Sequence, residues 1–337
     1  MTSRTRLTGR EQLKKAKTPE HPADLFTRHD GNPILIARDW PYPCNTVFNP
    51  AATRLRDGTT LLFCRVEGRN GHSHFTAARS KNGVDGWKID PEPTLSPDPG
   101  KYPGELWGIE DARITWVEEL GKYAVVYTAF SRGGPGVSIA LTEDFRSFER
   151  LGVIMPPEDK DAALLPHRIG DFWAMIHRPL TTLGAHVWIS YSPDLRHWGS
   201  HNMILPARRG AWWDANKIGL CTPLIETPEG WLMIYHGVRE TASGSIYRLG
   251  LALFDLATPE QCILRGDEWI FGPDEAYEDV GDVGQVVFPC GQTIDDDGDT
   301  INLYYGAADS CICLARGKIS EMLAWLKTHG RALVEGE

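Results

Sequence analysis

No stretch of this chain approaches the ~18 consecutive apolar residues that a membrane-spanning helix requires. The N-terminus, MTSRTRLTGREQLKKAK, is basic but has no apolar segment behind it, so no signal peptide is expected. Positive charge is scarce: 35 Lys and Arg stand against 45 Asp and Glu, a formal net charge of -10. Binding a polyanion needs a basic face, so neither nucleic acid nor a membrane is an expected partner. A small basic pocket inside an acidic protein remains open. The seven cysteines are odd in number and irregularly spaced, with no C-x-x-C pair. They fit a reduced, cytoplasmic chain, and no metal site is expected. The Gly-rich P-loop, the dinucleotide-binding fingerprint and the serine nucleophile elbow are all absent. GGPG at 133–136 is a turn without the helix needed to cradle phosphate.

What the chain does have is a repeat. Among its 337 residues, 34 glycines and 23 prolines break the apolar runs into short pieces. One strand type occurs five times: TTLLFCRVE (59–67), KYAVVYTAF (122–130), DFWAMIHRP (171–179), GWLMIYHGV (230–238) and DTINLYYGA (299–307). Each is rich in β-branched and aromatic residues, and several follow a Gly turn. A second strand follows each one, and another short apolar run precedes it. Aligning Cys64, Tyr127, His177, His236 and Tyr305 gives intervals of 63, 50, 59 and 69 residues. Three strands with room for a fourth, repeated five times, predict an all-β fold: a five-bladed β-propeller over 29–318. Helical periodicity is missing except near 319–328, where Ile319, Met322, Leu323 and Leu326 predict a short amphipathic helix within a C-terminal segment, 319–337. Residues 1–28 read as an N-terminal tail or arm. Arm and helix are the natural contact elements for a homo-oligomer.

In such a fold the inner strands line a channel. The first strand of every unit opens on polar residues: Asn45 and Asn49; Glu110, Asp111 and Arg113; Lys160 and Asp161; Asp214 and Lys217; Asp282 and Gln285. The second strands add Arg65 and Glu67, His177 and Arg178, and His236, with Asp309 following Tyr305. Any one of these could simply satisfy backbone groups at a turn. Recurrence in all five units points instead to a polar axial pocket. Twelve tryptophans, with Trp107, Trp212 and Trp213 beside charged segments, suit a sugar ligand, although interblade packing uses aromatics too.

These residues also form recognisable strings. GIEDAR (108–113), KDAALLP (160–166), HRP (177–179), WWDANKIG (212–219), YHGV (235–238), YRLGLALFD (247–255), YEDVGDVGQVVFPCG (277–291) and YYGAAD (304–309) occur in this order. Together with NTVFNPAA and CRVEGR they resemble glycoside hydrolase family 130 over roughly residues 30–315. The resemblance implies a five-bladed propeller acting on β-mannosides. Many members are inverting phosphorylases that cleave with inorganic phosphate to give α-mannose 1-phosphate; others hydrolyse β-1,2-mannosides. It implies that Asp111 is the single catalytic acid, its proton passing through the sugar's 3-hydroxyl. Phosphate supplies the nucleophile, so one carboxyl suffices where ordinary glycosidases need two. The phosphate cradle matches Lys160, Arg178, His236 and Tyr247, with Lys160 standing where arginine is commoner in the family. Asn45, Arg65, Lys217 and Asp309 match positions around the mannosyl unit. No cofactor is implied beyond phosphate as co-substrate, and the expected partners are a β-mannoside oligosaccharide and phosphate. A hydrolase would need a second carboxylate, for which Glu278 or Asp279 are the candidates. A propeller that only binds sugar is the alternative of another class.

Overall fold

Residues 24–333, apart from Ser243, are described by a computed structural model. The five apolar runs form the strands Thr60–Glu67, Lys122–Ser131, Trp173–Thr181, Gly230–Thr241 and Thr300–Ala307. They are buried along most of their length, which is why they read as near-continuous apolar segments rather than alternating ones. Each sits second in an antiparallel unit. It is flanked by a first strand (Thr46–Arg54, Ile109–Val117, Asp159–Leu164, Lys217–Leu220, Val287–Ile294). On its other side lies a third (Ser73–Ser80, Gly134–Thr142, Val187–Ser192, Gly244–Phe254, Cys311–Lys318). The protein is all-β, and its sheets are open ones. The third and fourth units are joined by Gly184–Ala185, which pairs with Leu180–Thr181 on one side and Lys217 on the other.

The first four units carry their own outer strand: Lys88–Ile89, Glu149–Met155, Gly199–Leu205 and Cys262–Gly266. The turn before it recurs. Asp144 Oδ1 accepts the amides of Arg146 and Ser147, Asp194 Oδ1 those of Arg196 and His197, and Asp255 Oδ1 those of Ala257 and Thr258. A short side-chain acceptor fixing its own loop is what places Asp there. In the fifth unit the outer position is filled from the other end of the chain. Thr27–Arg28 pairs with Ala315–Arg316, and Leu35–Ile36 with Cys311–Ile312. Phe26 is buried beside them, so 24–28, read from sequence as part of an arm, pack against the last unit; the rest of that arm lies outside the described residues. Burying one Phe side chain contributes about 2 kcal/mol.

Apolar clusters lie between successive units. Phe63 and Phe75 meet Tyr127 and Phe145; Val126 and Ile139 meet Leu164 and Met175. Ile176 and Ile189 meet Ile218 and Tyr235, and Leu249 and Leu251 meet Leu303 and Tyr305. Tyr304 and Leu314 of the fifth unit meet Leu62 and Val66 of the first. The helix Ile319–His329 lays Ile319, Met322, Leu323 and Leu326 on the fourth and fifth units, and Gly330–Arg331 then pairs with Arg265–Gly266. No helix among the described residues is long and apolar enough to cross a membrane.

Candidate active site

The first strands of three units are interrupted at the same place. Register slips between Phe48 and Ala51, between Glu110 and Arg113, and between Lys160 and Ala163. The extra residue in each case has positive φ: Asn49 at 43°, Asp111 at 50° and Asp161 at 52°. Asn and Asp tolerate this left-handed region best among residues with a side chain, yet it still costs about 1–2 kcal/mol. A bulge re-aims its side chain, and repeated bulges bring the three polar groups together. Neighbouring strands leave room only through glycine. A Cβ on Gly306 would lie 2.1 Å from Asn49 Oδ1, and one on Gly219 would lie 2.5 Å from Asp161 Oδ2 and 2.5 Å from the His236 ring.

One half of the site is built on Asp111, which is 5% exposed. Its Oδ1 accepts Asn49 Nδ2 at 3.0 Å and Arg65 Nη1 at 3.1 Å. Arg65 is fixed in turn by Ser73 Oγ at 2.9 Å, by Glu110 at 3.1 Å, and by the Phe48 ring beneath its guanidinium. Burial alone would raise the Asp111 carboxyl, but Arg65, Lys160, Arg113 and the Asn49 amide outweigh it and hold it below the usual carboxylate range. Asp309 shows the opposite balance: burial, then the charge of Asp111, pushes it up to about 7. Burial also raises Glu110, against the pull of Arg65.

The other half is built on Asp161, which is fully buried. Its Oδ2 accepts Arg178 Nε at 3.0 Å and Nη2 at 2.8 Å, and His236 Nε2 lies 3.7 Å away. Arg113 joins the halves: its Nη2 is 3.5 Å from Asp161 Oδ1 and its Nη1 donates to the Asp111 carbonyl at 2.9 Å. Despite its burial, Asp161 is driven far below the ordinary range by Arg178 and Arg113. Burial, with the cations Arg178, Arg113 and Lys160, pushes His236 down to about 3, so it is a neutral imidazole. Its ring packs on Phe288 at 4.8 Å and near Tyr247 at 6.0 Å. Burial and the Asp161 charge move the Tyr247 phenol up to about 12. Lys217 Nζ stands 5.7 Å over the Tyr247 ring and is lowered by burial and by the positive charge of Arg178 and Lys160. Lys160 and Arg178 are register partners across the strand pair. The arrangement is a carboxylate beside a cluster of cations and neutral donors, suited to an anion next to a group awaiting a proton.

Residues 17–328 match the family described as beta-1,4-mannooligosaccharide phosphorylase, glycoside hydrolase family 130. The chain belongs to this family. It is 31% identical over 319 residues to the β-1,4-mannooligosaccharide phosphorylase of Ruminococcus albus, covering 92% of this chain and 93% of that one. To the β-1,2-mannobiose phosphorylase of Listeria innocua it is 38% identical over 261 residues, covering 77% and 70%. The solved complex of a Listeria innocua β-1,2-mannobiose phosphorylase with β-1,2-mannobiose superimposes with a TM-score of 0.81 at 29% identity, over 90% of this chain and 99% of that one.

In this family-130 chain the residues singled out from sequence fall into two groups and one outlier. Asp111, Arg65, Lys160 and Asp309 share one electrostatic neighbourhood. Arg178, His236, Tyr247 and Lys217 share the one around Asp161. Asn45 is exposed at the rim, donating to Asp282 Oδ2 at 3.0 Å. Four supporting residues, Asn49, Glu110, Arg113 and Asp161, were placed among the polar channel residues from sequence but given no individual role. The signal was the shared place of Asn49, Asp111 and Asp161 in their repeats. His177, counted among the channel residues, turns away: Nδ1 meets Asp159 at 2.6 Å and Nε2 meets Ser190 at 2.7 Å. Trp213 is core, stacked on Tyr235. Glu278 is fully buried and committed to Arg28, Tyr305 and the amides of Asp274 and Glu275, which leaves no lone pair to activate water. Asp279 is exposed on the short helix Ala276–Asp279.

Proposed function

We propose that this chain is an inverting β-mannoside phosphorylase, built as a five-bladed β-propeller and working in the cytoplasm with its cysteines reduced. Five antiparallel units, each sharing an apolar cluster with the next and the fifth sharing one with the first, support the propeller reading. Phosphorolysis rests above all on one observation: a buried carboxyl, Asp111, lies beside a cluster of Arg178, Lys160 and Lys217 that Asp161 only partly neutralises. The relatives named as phosphorylases support it.

In this reading phosphate binds to Arg178, Lys160, His236 and Tyr247, and the mannosyl unit lies between it and Asp111, held by Arg65, Asp309, Lys217 and Asn45. Arg178 already spends its Nε/Nη2 edge on Asp161, so Nη1 is the edge left to phosphate. Asp161 thus fixes the fork, while His236 contributes a neutral N–H. An oxygen of hydrogen phosphate forms the new bond to the anomeric carbon as the bond to the leaving oxygen breaks. Asp111, ionised at rest, takes a proton from solvent as phosphate binds and delivers it through the sugar's 3-hydroxyl to the leaving oxygen. The phosphate proton returns to solvent, so the sum needs no added proton. A bound phosphate offsets the cations that depress Asp111 and so raises its proton affinity at the moment it is needed. No metal or organic cofactor enters this scheme. Incubating a β-mannoside with and without phosphate and identifying the sugar product tests it: α-mannose 1-phosphate formed only with phosphate is the expected result, and phosphate-independent free mannose would overturn it.

A further inference from the structure

A second group of cations gathers on the fourth unit, away from Asp111 and Asp161. Alternation along the strand Gly244–Phe254 sends Tyr247 toward the site just described and Arg248 to the opposite face. The Arg248 guanidinium lies 4.9 Å over the Trp269 ring, and burial together with nearby Arg239 pulls it below its ordinary range. Among the described residues, Arg209, Arg239 and Arg248 have no carboxylate within salt-bridge distance. All three line one cavity of about 550 Å³ with Trp212 and Trp269. That volume is in the range of small-molecule sites.

The acids that would neutralise them are engaged elsewhere. Asp214 Oδ2 holds Arg265 at 2.7 Å and Arg208 at 3.4 Å, and Asp267 holds Arg208 at 2.8 Å as well as Arg331. Among the described residues that line the groove, Glu268 is the remaining acid against three cations. Arg248 is half-buried while Arg209 and Arg239 are exposed; like charges gathered around one groove repel each other, and an anion relieves that repulsion. In a chain of net charge -10 this is an unusual place to concentrate positive charge. Trp212 is 39% exposed; one face of its indole carries the Arg208 guanidinium at 4.3 Å, so the C–H face of a pyranose ring would pack on the other.

We propose that this groove binds an anionic pyranoside, a sugar bearing a phosphate or carboxylate, with Arg239 and Arg248 holding the anionic group and Trp212 the ring. The proposal is independent of the phosphorolysis reading, because its readout is binding and not turnover. Tryptophan fluorescence and calorimetric titrations would compare mannose 6-phosphate, glucuronate, inorganic phosphate and neutral mannobiose. The wild type and the double variant Arg239→Ala/Arg248→Ala would be titrated in parallel. The exposed charge reversal Arg239→Glu, which disturbs no packing, serves as a second probe. Both variants should lose at least tenfold in affinity for the phosphorylated or carboxylated hexose, and binding should weaken with salt, while β-mannoside turnover stays unchanged. The phosphate and carboxylate arms tell which anion is preferred. Unchanged affinity and stoichiometry in both variants would overturn the proposal, as would binding of neutral mannobiose that is equally strong and equally lost in the variants.

Discussion

Replacing Arg178 separates its two duties. Arg178→Ala removes both bonds to Asp161, a carboxylate with no exposed surface, and removes the Nη1 edge assigned to phosphate. Breaking a buried pair by deleting one partner costs about 3–5 kcal/mol. Arg113, 3.5 Å from the other Asp161 oxygen, remains as partial compensation, so the lower end applies. For a chain of this size that corresponds to a fall in melting temperature of about 4 °C. Loss of a charge-assisted bond to phosphate costs about 1.5–3 kcal/mol, a ten- to hundredfold rise in the KM for phosphate. Arg178→Lys keeps a cation beside Asp161 but lacks the planar fork. It should retain most of the stability while still raising the phosphate KM. The assay is initial velocity against phosphate at saturating β-mannoside, then the reverse, with thermal melts on the same preparations. A phosphate KM within twofold of wild type in the folded Ala variant, or equal rises for both substrates, would refute the assignment.

Asp111→Asn keeps the contact with Arg65 but cannot carry a proton, so turnover should fall at least ~10²-fold with mannoside binding retained; near-native rates would remove Asp111 from the chemistry. Asp309 binds its proton more tightly in the fold, near pH 7, than the ordinary 3.8. Its contribution to stability is therefore full below about pH 4 and lost as pH rises through about 7. Asp309→Asn should flatten that part of the melting-temperature profile, and parallel profiles for the two proteins would contradict it. Because His236 is neutral, His236→Gln should raise the phosphate KM less than Arg178→Ala does and leave its salt dependence unchanged; a change in salt dependence like that of Arg178→Ala would show that the imidazole is charged.

The all-β character and the five units could be read from sequence because their second strands are buried on both faces, which forces near-continuous Val, Ile, Leu and aromatic residues. The outer strand of the fifth unit could not. Thr27–Arg28 and Leu35–Ile36 are two-residue pairings made across the whole chain, and nothing local in those residues encodes their partner. In the site, Asp111, Arg178 and His236 were legible because polar residues recur at the strand ends of every unit, and their separate roles came from the resemblance to family 130. Asp161 stands with Lys160 among the polar residues of the third unit, but neither the recurrence nor the resemblance gave it a role. The bulge that makes it the anchor of Arg178 is a backbone feature, visible in φ and register but only hinted at by the Asp-Ala pair it shares with Asp111. His177 shows the converse error: one residue from Arg178 along a strand is the opposite face. Glu278 was likewise a reasonable base by composition, and four hydrogen-bonding partners consume it.

The phosphate dependence of β-mannoside turnover tests the central claim most directly. Rates and products would be followed from zero to saturating phosphate with the unmodified protein. The account predicts a saturable requirement for phosphate, α-mannose 1-phosphate in one-to-one yield with the released sugar, and no turnover without phosphate. Free mannose released at full rate in its absence would contradict it.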